Sequence, residues 1–347
     1  MKQVDYIVVG LGIAGICVCE QIEARRKSFV VYDSGKNSAT SVAGGVVNPV
    51  VLKRFNPAWR AEAFFEKARP FYSALEKKLN IPLVSDIRIH RIFNSPEEQN
   101  DWMVASDSPA LETLLSSEII RNTNNAIIAK YGFGAVLKSF KVNTDLLLNG
   151  YRTYLDDKGC LERTEFNSDH LRAVDGGFEF NGIFAPRLIF SEGTASINNP
   201  FFTIDCLIPK KGEYLFIKAP ELKCDSILKG PFFMIPVKDD IYQVGATFAH
   251  GDFTFATTSE GKQKMVKAIQ KMINCDFEVV DQVAGMRPTV KDRRPVVGSI
   301  ENNNIYFLNG LGTRGLLMAP LLSLRLMEHI EKGDPLPPEI DVKRFLD

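Results

Sequence analysis

Three glycines near the start of the chain, Gly10, Gly12 and Gly15, follow the spacing G-x-G-x-x-G, which is typical of loops that bind a pyrophosphate. The first glycine permits a tight turn, the second lets the backbone approach phosphate oxygens, and the third lets a helix lie close to a strand. Asp33, 18 positions after Gly15, can accept hydrogen bonds from both hydroxyl groups of a ribose. These residue types at this spacing indicate dinucleotide binding.

The segments around these residues have the composition needed to position them. An apolar, β-branched run that ends at Gly10 predicts a buried strand, residues 16–26 predict a helix, and residues 29–32 predict a second strand. The helix N-terminus would present unpaired N–H groups and a partial positive charge to the phosphates. The alternative is a glycine-rich turn in another kind of α/β protein. An acid at Asp33 disfavours a 2′-phosphate, so the expected ligand is FAD or NAD rather than NADP.

Three further stretches of small residues are suited to a close approach of the backbone to the same ligand. Residues 34–49 are rich in glycine, serine and threonine, but their valines are too apolar for a flexible surface loop. Residues 188–194 predict a buried strand that ends in a small polar turn. Residues 309–315 form a second glycine-rich turn before a helix and contain Arg314. This turn could receive the electron-rich edge of a ring system.

The overall composition is that of an ordinary globular protein and argues against several functional classes. With 347 residues the chain exceeds the size at which a single core keeps growing, so two lobes are expected. Lysine plus arginine equals aspartate plus glutamate at 42 each, which gives no reason to expect nucleic acid or an anionic membrane as a bulk partner. The six cysteines are scattered without a C-x-x-C pair, so neither a metal site nor a disulfide framework is predicted. No apolar run reaches membrane-spanning length, and a cytoplasmic protein is expected.

Hydrophobic periodicity predicts further elements along the chain. Helices are expected at residues 58–79, 142–156, 261–273 and 316–332, and strands at 214–217, 232–237, 241–247 and 305–308. Pro320 is expected near the start of the last helix, where a missing N–H costs little. Interleaved α/β and strand-rich stretches predict two structural units.

Several motifs follow one another along nearly the whole chain in a recognisable order. Beyond the first glycine motif with Asp33, they are residues 40–45, 211–213, 244–247, 284–288 with Asp292, Pro295 and Gly298 after them, and 310–320. In this order they resemble the FAD-dependent amine oxidases of the D-amino-acid oxidase superfamily. Within that superfamily the chain is most similar to glycine oxidases and to the oxidase half of the bifunctional enzymes that modify the wobble uridine of tRNA.

The resemblance implies an α/β fold with a discontinuous, Rossmann-like FAD-binding domain and a second, substrate domain built on an antiparallel sheet. We expect the FAD-binding domain to comprise residues 1–80, 140–208 and 283–347, and the substrate domain to comprise residues 81–139 and 209–282. The glycine motifs and the resemblance together give the candidate cofactor contacts, which are Gly10, Gly12, Ile13, Ala14, Gly15, Asp33, Ser34, Thr40, Ser41, Gly44, Gly45, Val46, Phe166, Gly193, Thr194, Arg287, Gly310, Gly312, Thr313, Arg314, Gly315 and Leu316.

The sequence departs from its relatives at three positions. In glycine oxidases a tyrosine helps to hold the substrate carboxylate, whereas the matching position here is Phe233, which has no hydroxyl. Arg314 directly precedes Gly315, which is more similar to the tRNA-modifying oxidases than to glycine oxidases. Relatives that attach flavin covalently use a cysteine near the position of Met286. The resemblance therefore implies noncovalently bound FAD.

The resemblance also implies the chemistry of amine oxidation, in which a hydride leaves the carbon bearing the nitrogen for flavin N5 and the imine is hydrolysed. Arg287 is the candidate clamp for a substrate carboxylate, because a guanidinium matches a carboxylate with two hydrogen bonds. The alternative for Arg287 is a structural ion pair with a residue such as Asp292. Arg314 is expected beside the flavin or at the pocket mouth, or else on the surface at the helix start. Phe233 and Phe248 are expected as apolar pocket walls, or else as ordinary core residues.

We therefore expect an enzyme that oxidises a small amine, an amino acid or an N-substituted glycine, with oxygen or a quinone as electron acceptor. No acid–base residue is evident, and His250 is expected to take no part. One alternative is oxidative trimming of carboxymethylaminomethyl-uridine in tRNA, whose side chain is itself an N-substituted glycine; the basic residues that would bind RNA are dispersed. A non-catalytic FAD-binding subunit and a nicotinamide-dependent dehydrogenase are further alternatives.

Overall fold

The computed structural model describes residues 2–36, 38–249, 251–301 and 303–346, and no helix within these ranges is long and apolar enough to cross a membrane. The helices are α1 (Ile13–Ala24), α2 (Ala61–Leu79), α3 (Pro96–Ser106), α4 (Thr144–Asp157), α5 (Ser259–Ile269) and α6 (Gly315–Lys332). The strands are β1 (Lys2–Gln3), β2 (Tyr6–Val9), β3 (Phe29–Tyr32), β4 (Val46–Val47), β5 (Val50–Val51), β6 (Asn56–Pro57), β7 (Val84–Asp86), β8 (Ile89–Ile92), β9 (Leu115–Ile120), β10 (Phe133–Val136), β11 (Phe140–Val142), β12 (Leu161–Glu162), β13 (Arg172–Val174), β14 (Gly177–Phe180), β15 (Ile183–Ala185), β16 (Arg187–Phe190), β17 (Leu207–Lys218), β18 (Ile227–Lys229), β19 (Phe233–Pro236), β20 (Ile241–Gly245), β21 (Glu278–Val290), β22 (Val296–Gly298) and β23 (Ile305–Asn309).

One sheet has six strands in the order β12-β3-β2-β16-β23-β22. Its first five strands are parallel, and β22 at the edge runs antiparallel to β23. The strands come from three separate parts of the chain, because β2 and β3 lie near its start, β12 and β16 near its middle, and β22 and β23 towards its end. A sheet assembled in this way is discontinuous in sequence.

Apolar side chains leave the six-stranded sheet on both faces, as expected for parallel strands that are buried on both sides. On one face, Tyr6 and Val8 of β2 pack in a core that includes α1, α2, α4 and α6. On the other face, Ile7 and Val9 pack in a core that includes a small sheet with the order β1-β15-β14-β13. The alternation along β2 follows the period of two of a β-strand.

A second large sheet has eight strands in the order β21-β17-β20-β19-β18-β8-β10-β9, and its neighbours are antiparallel except for the pair β18 and β8. Leu215 and Val244 pack on one face with residues of α5. Their neighbours Tyr214 and Gly245 lie on the opposite face, which lines the cavity described below. The predicted α/β fold with a discontinuous parallel sheet and an antiparallel second sheet is confirmed. The domain boundaries given above stay a prediction.

Pro320 is the sixth residue of helix α6 and lies past its first turn, so the prediction that it lies near the helix start, where a missing N–H costs little, is wrong. A proline cannot donate to the carbonyl four residues earlier, here that of Leu316. The buried hydroxyl of Tyr72 in α2 donates to this carbonyl instead (2.8 Å). The tyrosine therefore repairs the hydrogen bond that the proline removes and fixes α2 against α6.

We predict that Tyr72→Phe lowers the free energy of unfolding by about 1–3 kcal/mol, because a buried carbonyl loses its partner. In a Pro320→Ala background the Leu316 carbonyl regains a main-chain donor, so the same change should cost less. Urea unfolding of the four proteins measures this coupling. Equal costs of Tyr72→Phe in both backgrounds would contradict the assignment.

Candidate functional site

The turn between β2 and α1 depends on backbone contacts that only glycine permits. Gly10 has a φ of +92°, which other residues rarely adopt. A Cβ atom on Gly15 would lie within 3.0 Å of the Gly10 carbonyl, so helix and strand touch here. Gly12 has only the Thr40 hydroxyl near its Cβ position, which leaves its main chain accessible. The same hydroxyl accepts a hydrogen bond from the N–H of Ile13 (3.0 Å) and caps α1.

Asp33 at the end of β3 is held by two partners. Its Oδ1 accepts a hydrogen bond from the N–H of Leu11 (3.1 Å), and its Oδ2 forms an ion pair with Nη2 of Arg152 in α4 (3.1 Å). Each carboxylate oxygen can accept more than one hydrogen bond, so Asp33 retains acceptors for a ribose. The sequence did not identify Arg152, because its helix carries no motif.

An aromatic cluster adjoins Asp33 at this end of the site. Phe166 stacks on Phe180 with ring centroids 4.2 Å apart and meets the ring of Tyr32 edge-on at 5.9 Å. Within the described part of the protein, the buried hydroxyl groups of Tyr32 and Ser191 have no hydrogen-bond partner. A buried hydroxyl without a partner costs free energy, so this cluster is suited to a ligand that supplies the missing bonds.

These groups line one cavity of about 1490 Å³ that extends from the six-stranded sheet to the eight-stranded sheet. Pockets for a single drug-sized ligand are typically about 300–1,000 Å³. This cavity therefore has room for a dinucleotide and a further small molecule. The predicted site residues that line it are Gly10, Gly12, Ile13, Ala14, Asp33, Ser34, Thr40, Gly44, Gly45, Val46, Phe166, Gly193, Thr194, Phe233, Phe248, Arg287, Gly312, Thr313, Arg314, Gly315 and Leu316.

The structure places the other three predicted contacts, Gly15, Ser41 and Gly310, behind the cavity wall. Gly15 lies against the Gly10 carbonyl, as described above. The Ser41 hydroxyl donates to the carbonyl of Ser38 (2.8 Å) and shapes its own turn. A Cβ atom on Gly310 would lie within 3.0 Å of the Val290 side chain. In this structure Gly15 and Gly310 act through close packing and Ser41 through a hydrogen bond in its own turn, and none of the three lines the cavity.

The loop before β4 joins the two ends of the cavity. A Cβ atom on Gly285 of β21 would lie within 3.0 Å of the Val42 side chain, and one on Gly44 would lie within 3.0 Å of Ile235 in β19. The Gln243 side-chain amide donates to the carbonyl of Val42 (3.0 Å). The loop that caps α1 through Thr40 is therefore the same loop that lies on the eight-stranded sheet.

Arg287 of β21 lies across the neighbouring strand β17. A Cβ atom on Gly212 would lie within 3.0 Å of Cζ, Nη1 and Nη2 of the Arg287 guanidinium, which are the three atoms nearest to it. The guanidinium donates to the carbonyl of Thr247 (3.3 Å). Asp292 pairs with Arg344 instead (Oδ2 to Nε 2.8 Å), so the alternative of an Arg287–Asp292 ion pair is wrong. No carboxylate among the described residues forms an ion pair with Arg287.

Arg314 precedes α6 and lies on the cavity wall rather than on the open surface. Its Nη1 donates to the main-chain carbonyl of Asn48 (2.9 Å), just after β4. Burial lowers the pKa of Arg314 from its ordinary value. The residue therefore brings a largely desolvated positive charge to the cavity beside the second glycine-rich turn.

The two predicted aromatic walls differ in their surroundings. Phe233 on β19 is half-buried, and Nζ of Lys229 lies 5.0 Å from its ring centroid. Phe248 is 58% exposed, and Cζ of Arg287 lies 4.5 Å from its ring centroid. A ring that is more than half exposed is not a core residue, so Phe248 belongs to the cavity mouth. His250 lies outside the described residues.

The motif Lys211-Gly212-Glu213 in β17 shapes this mouth. Lys211 is fully buried, and its Nζ forms an ion pair with Asp252 (2.6 Å) in the segment after β20. Gly212 leaves space for the guanidinium of Arg287. The buried carboxylate of Glu213 accepts hydrogen bonds from the N–H (2.8 Å) and hydroxyl (2.7 Å) of Thr258, directly before α5. The sequence found this motif only through the resemblance, whereas the structure gives a physical role to each residue.

The cavity fits an extended dinucleotide with a flat ring system. The helix N-terminus next to Gly12 suits a pyrophosphate, Asp33 suits a ribose, and the unpaired hydroxyls of Tyr32 and Ser191 suit a polar ligand near the aromatic cluster. The opposite end, with Arg287 and Arg314, suits an anion. Within the described ranges, no group of three or more histidine, cysteine, aspartate or glutamate side chains is placed to hold a metal ion.

Comparison with known proteins gives consistent matches over almost the full chain. The sequence model of the family described as FAD dependent oxidoreductase matches residues 5–328. The chain is 23% identical to a glycine oxidase from Bacillus licheniformis over 97% of this chain and 95% of that protein. It is 24% identical to a tRNA 5-methylaminomethyl-2-thiouridine biosynthesis bifunctional protein from Burkholderia orbicola. This match covers 98% of this chain but only 60% of that protein. A crystal structure of glycine oxidase from Geobacillus kaustophilus superimposes with a TM-score of 0.81 at 17% identity, over 99% of this chain and 98% of the other.

We predict that Gly15→Ala and Gly12→Ala fail in different ways. The first inserts a Cβ atom into the contact with the Gly10 carbonyl, so thermal stability should fall together with flavin content. The second meets only an ordinary contact with Thr40, so the apoprotein should keep its stability and lose affinity for FAD by tenfold or more. Differential scanning calorimetry of the apoproteins and FAD titration measure both effects. Unchanged FAD affinity in Gly12→Ala would contradict the predicted phosphate contact.

We predict that Gly212→Ala displaces the Arg287 guanidinium while the fold and the flavin remain. The added methyl group meets the far end of a flexible side chain rather than backbone, and Gly212 does not have a positive φ. Binding of a simple carboxylate such as acetate to the holoenzyme should weaken by about tenfold, measured from the change in flavin absorbance. Ala219→Gly in the segment after the same strand serves as a control for nonspecific loosening. Acetate binding that is unchanged in Gly212→Ala would overturn the proposed clamp.

Proposed function

Because the chain belongs to the family of FAD dependent oxidoreductases, we propose that it oxidises the C–N bond of a small amine that carries a carboxylate, such as an amino acid or an N-substituted glycine. One observation carries this choice of substrate. The guanidinium of Arg287 lies over Gly212 at the substrate end of the cavity, and no carboxylate of the described chain pairs with it. A half-buried guanidinium of this kind favours a ligand that brings its own carboxylate.

The proposed cofactor contacts follow the cavity wall. Gly12 and the start of α1 would hold the pyrophosphate, Asp33 would hold the ribose, and the turn before α6 would lie against the ring system. Bound FAD supplies the capacity to accept a hydride from the carbon that bears the nitrogen. We propose that it is held noncovalently, because the position near which relatives attach flavin is occupied by Met286, which is buried and has no reactive thiol.

The protein's own residues would bind and orient the amine rather than exchange protons with it. The cavity-lining carboxylates in the described ranges follow β3, β12 and β16, at the nucleotide end of the cavity, and are Asp33, Glu165 and Glu192. A carboxylate beside Arg287 would stabilise an ammonium group, which has no lone pair to assist loss of a hydride. No carboxylate lines the substrate end of the cavity in the described ranges, so the site favours binding of the amine in its neutral form. Phe233 and Phe248 would exclude water around it.

A second candidate function is oxidation of an aminomethyl-uridine side chain in tRNA. It is favoured by the similarity to the Burkholderia orbicola bifunctional protein, whose name specifies tRNA 5-methylaminomethyl-2-thiouridine biosynthesis. The chain spans about 60% of the length of that protein, so this activity requires separate evidence. Binding of tRNA that weakens steeply with added salt would support it, because phosphate contacts release counterions.

We predict that the purified holoenzyme, mixed without oxygen with glycine, sarcosine, D-amino acids or proline, loses its flavin absorbance with at least one of them. Arg287→Lys should raise the concentration needed for half-maximal bleaching by tenfold or more, because a two-point contact is lost. Arg344→Lys, at an ion pair with Asp292 that does not line the cavity, is the matched control. Denaturation of a sample should release free FAD, which also gives the flavin content.

Peroxide formation on admission of air would identify oxygen as acceptor, and its absence would favour a quinone. No bleaching with any carboxylated amine would refute the proposed function.

A further inference from the structure

The substrate end of the cavity carries more positive charge than one carboxylate requires. Arg287, Arg314, Lys53 and Lys229 all line the cavity. None of them forms an ion pair with a carboxylate within residues 2–36, 38–249, 251–301 and 303–346. Arg287 has a proposed role and Arg314 donates to a main-chain carbonyl, whereas Lys229 is a half-buried cation for which the proposed function gives no reason.

Lys229 is held in place by its surroundings. Its Nζ donates to the carbonyls of Gly230 (2.7 Å) and Pro231 (3.2 Å) and lies 5.0 Å from the ring centroid of Phe233. An ammonium group has three N–H donors, so one donor remains without an acceptor in the described chain. Arg91 of β8 donates to the Lys229 carbonyl (3.1 Å) and is itself paired with Glu98. The ammonium is therefore fixed by neutral acceptors, and its charge is not neutralised.

The register of the eight-stranded sheet places Lys229 and Arg287 on the same face. Lys229 is opposite Phe233, Phe233 is opposite Gly245, and Gly245 is opposite Tyr214. Opposite residues of antiparallel strands share a face. The Arg287 guanidinium reaches this face above Gly212 of β17, two positions from Tyr214. The Lys229 ammonium lies over β19, two strands from β17 and offset along the strands by the two positions between Gly212 and Tyr214, which together correspond to about 12 Å at the usual spacings.

We propose that Lys229 forms a second anion-binding subsite and that the substrate is an amine with two acidic groups, one bound by Arg287 and the other by Lys229. This inference rests on the proposed function and specifies its substrate class. Contacts of about 2.8 Å to each cation leave roughly 6 Å between the contacting oxygen atoms of the two acidic groups. That separation is the length of a dicarboxylic amino acid or of a glycine whose nitrogen carries a second carboxylate arm. The half-buried ring of Phe233 lies beside the Lys229 ammonium and suits the carbon chain next to the second acidic group.

Simple dicarboxylates that cannot be oxidised test the subsite without relying on turnover. Succinate, glutarate and butyrate are titrated into the holoenzyme, and binding is followed by the change in flavin absorbance. We expect at least one dicarboxylate to bind tenfold or more tightly than butyrate, since a second charge-assisted hydrogen bond forms. Equal binding of all three acids, or no binding of any, would overturn the proposal.

Substitutions separate the two cations. Lys229→Met should bring dicarboxylate binding to within about twofold of butyrate and leave butyrate binding unchanged. Lys229→Arg keeps the charge and should retain a preference. Arg287→Met should weaken both kinds of acid. Flavin content and thermal midpoint equal to those of the wild type confirm that Lys229→Met is folded. If Lys229→Met weakens butyrate as much as succinate, Lys229 supports the fold and not a subsite.

The dependence on pH gives an independent readout of the same group. Burial, together with the nearby charges of Arg91 and Lys53, lowers the pKa of Lys229 to about 8. The ammonium is present at pH 7 and is lost as the pH rises above that value, so the dicarboxylate preference should fall between pH 7 and 9.5. In Lys229→Arg, whose guanidinium keeps its proton, the preference should persist. A preference of the wild type that is unchanged at pH 9.5 would count against the subsite.

Anaerobic mixing with aspartate, glutamate and iminodiacetate distinguishes failure of this inference from failure of the proposed function. Bleaching by these amines at lower concentrations than by glycine or proline is the expected result. Bleaching only by amines with one carboxylate would refute the second subsite and leave amine oxidation intact. A dicarboxylate preference in the titrations without bleaching by any amine would refute the proposed oxidation and leave the subsite standing.

Discussion

The close contact between the Gly10 carbonyl and Gly15 is the constraint on which the nucleotide end depends. It brings the start of α1 to the carboxyl end of the parallel strand β2, where the helix N-terminus can act on a phosphate. The parallel sheet is buried on both faces by separate cores, so this turn cannot relax without disturbing either core. Rigid packing therefore fixes the positions of the unpaired N–H groups that would bind an anion.

The segment that contains Thr40, Val42 and Gly44 transmits that rigidity to the other end of the cavity. Thr40 caps α1, while Val42 and Gly44 lie directly on β21 and β19. Small residues on both sides allow an approach that larger side chains would prevent. The distance between the phosphate end and the arginine-lined end is therefore determined by one short piece of chain. A long cofactor that contacts both ends would be matched to that fixed span.

The sequence was most informative where function depends on neighbours along the chain. The first glycine motif and Asp33 follow local rules of backbone conformation and spacing. Arg152 and Tyr72 could not be found in this way, because each contacts a residue that is distant in sequence. Lys229 stands out only because the sheet register places it on the same face as Arg287. The space that Gly212 leaves for the guanidinium of Arg287 also depends on a contact between residues that are distant in sequence. Pro320 shows a different error, since it lies past the first turn of α6 and a tertiary contact from Tyr72 replaces the missing hydrogen bond.

The ion pair between Lys211 and Asp252 has a consequence for how acidity acts on the enzyme. Its hydrogen bond with the buried ammonium, helped by those from Thr254, lowers the pKa of Asp252 to about 2. Because this carboxyl pKa is lowered, the ion pair is fully formed at pH values above the ordinary pKa of an aspartate. It is lost only as the pH falls towards 2. The Lys211–Asp252 ion pair therefore holds the segment that contains Phe253 and Phe255 in both mildly acidic and neutral solution. Both rings are exposed at the cavity entrance. Under the proposed function, slower turnover in mild acid would therefore reflect protonation of the amine substrate, because the cavity entrance keeps its shape.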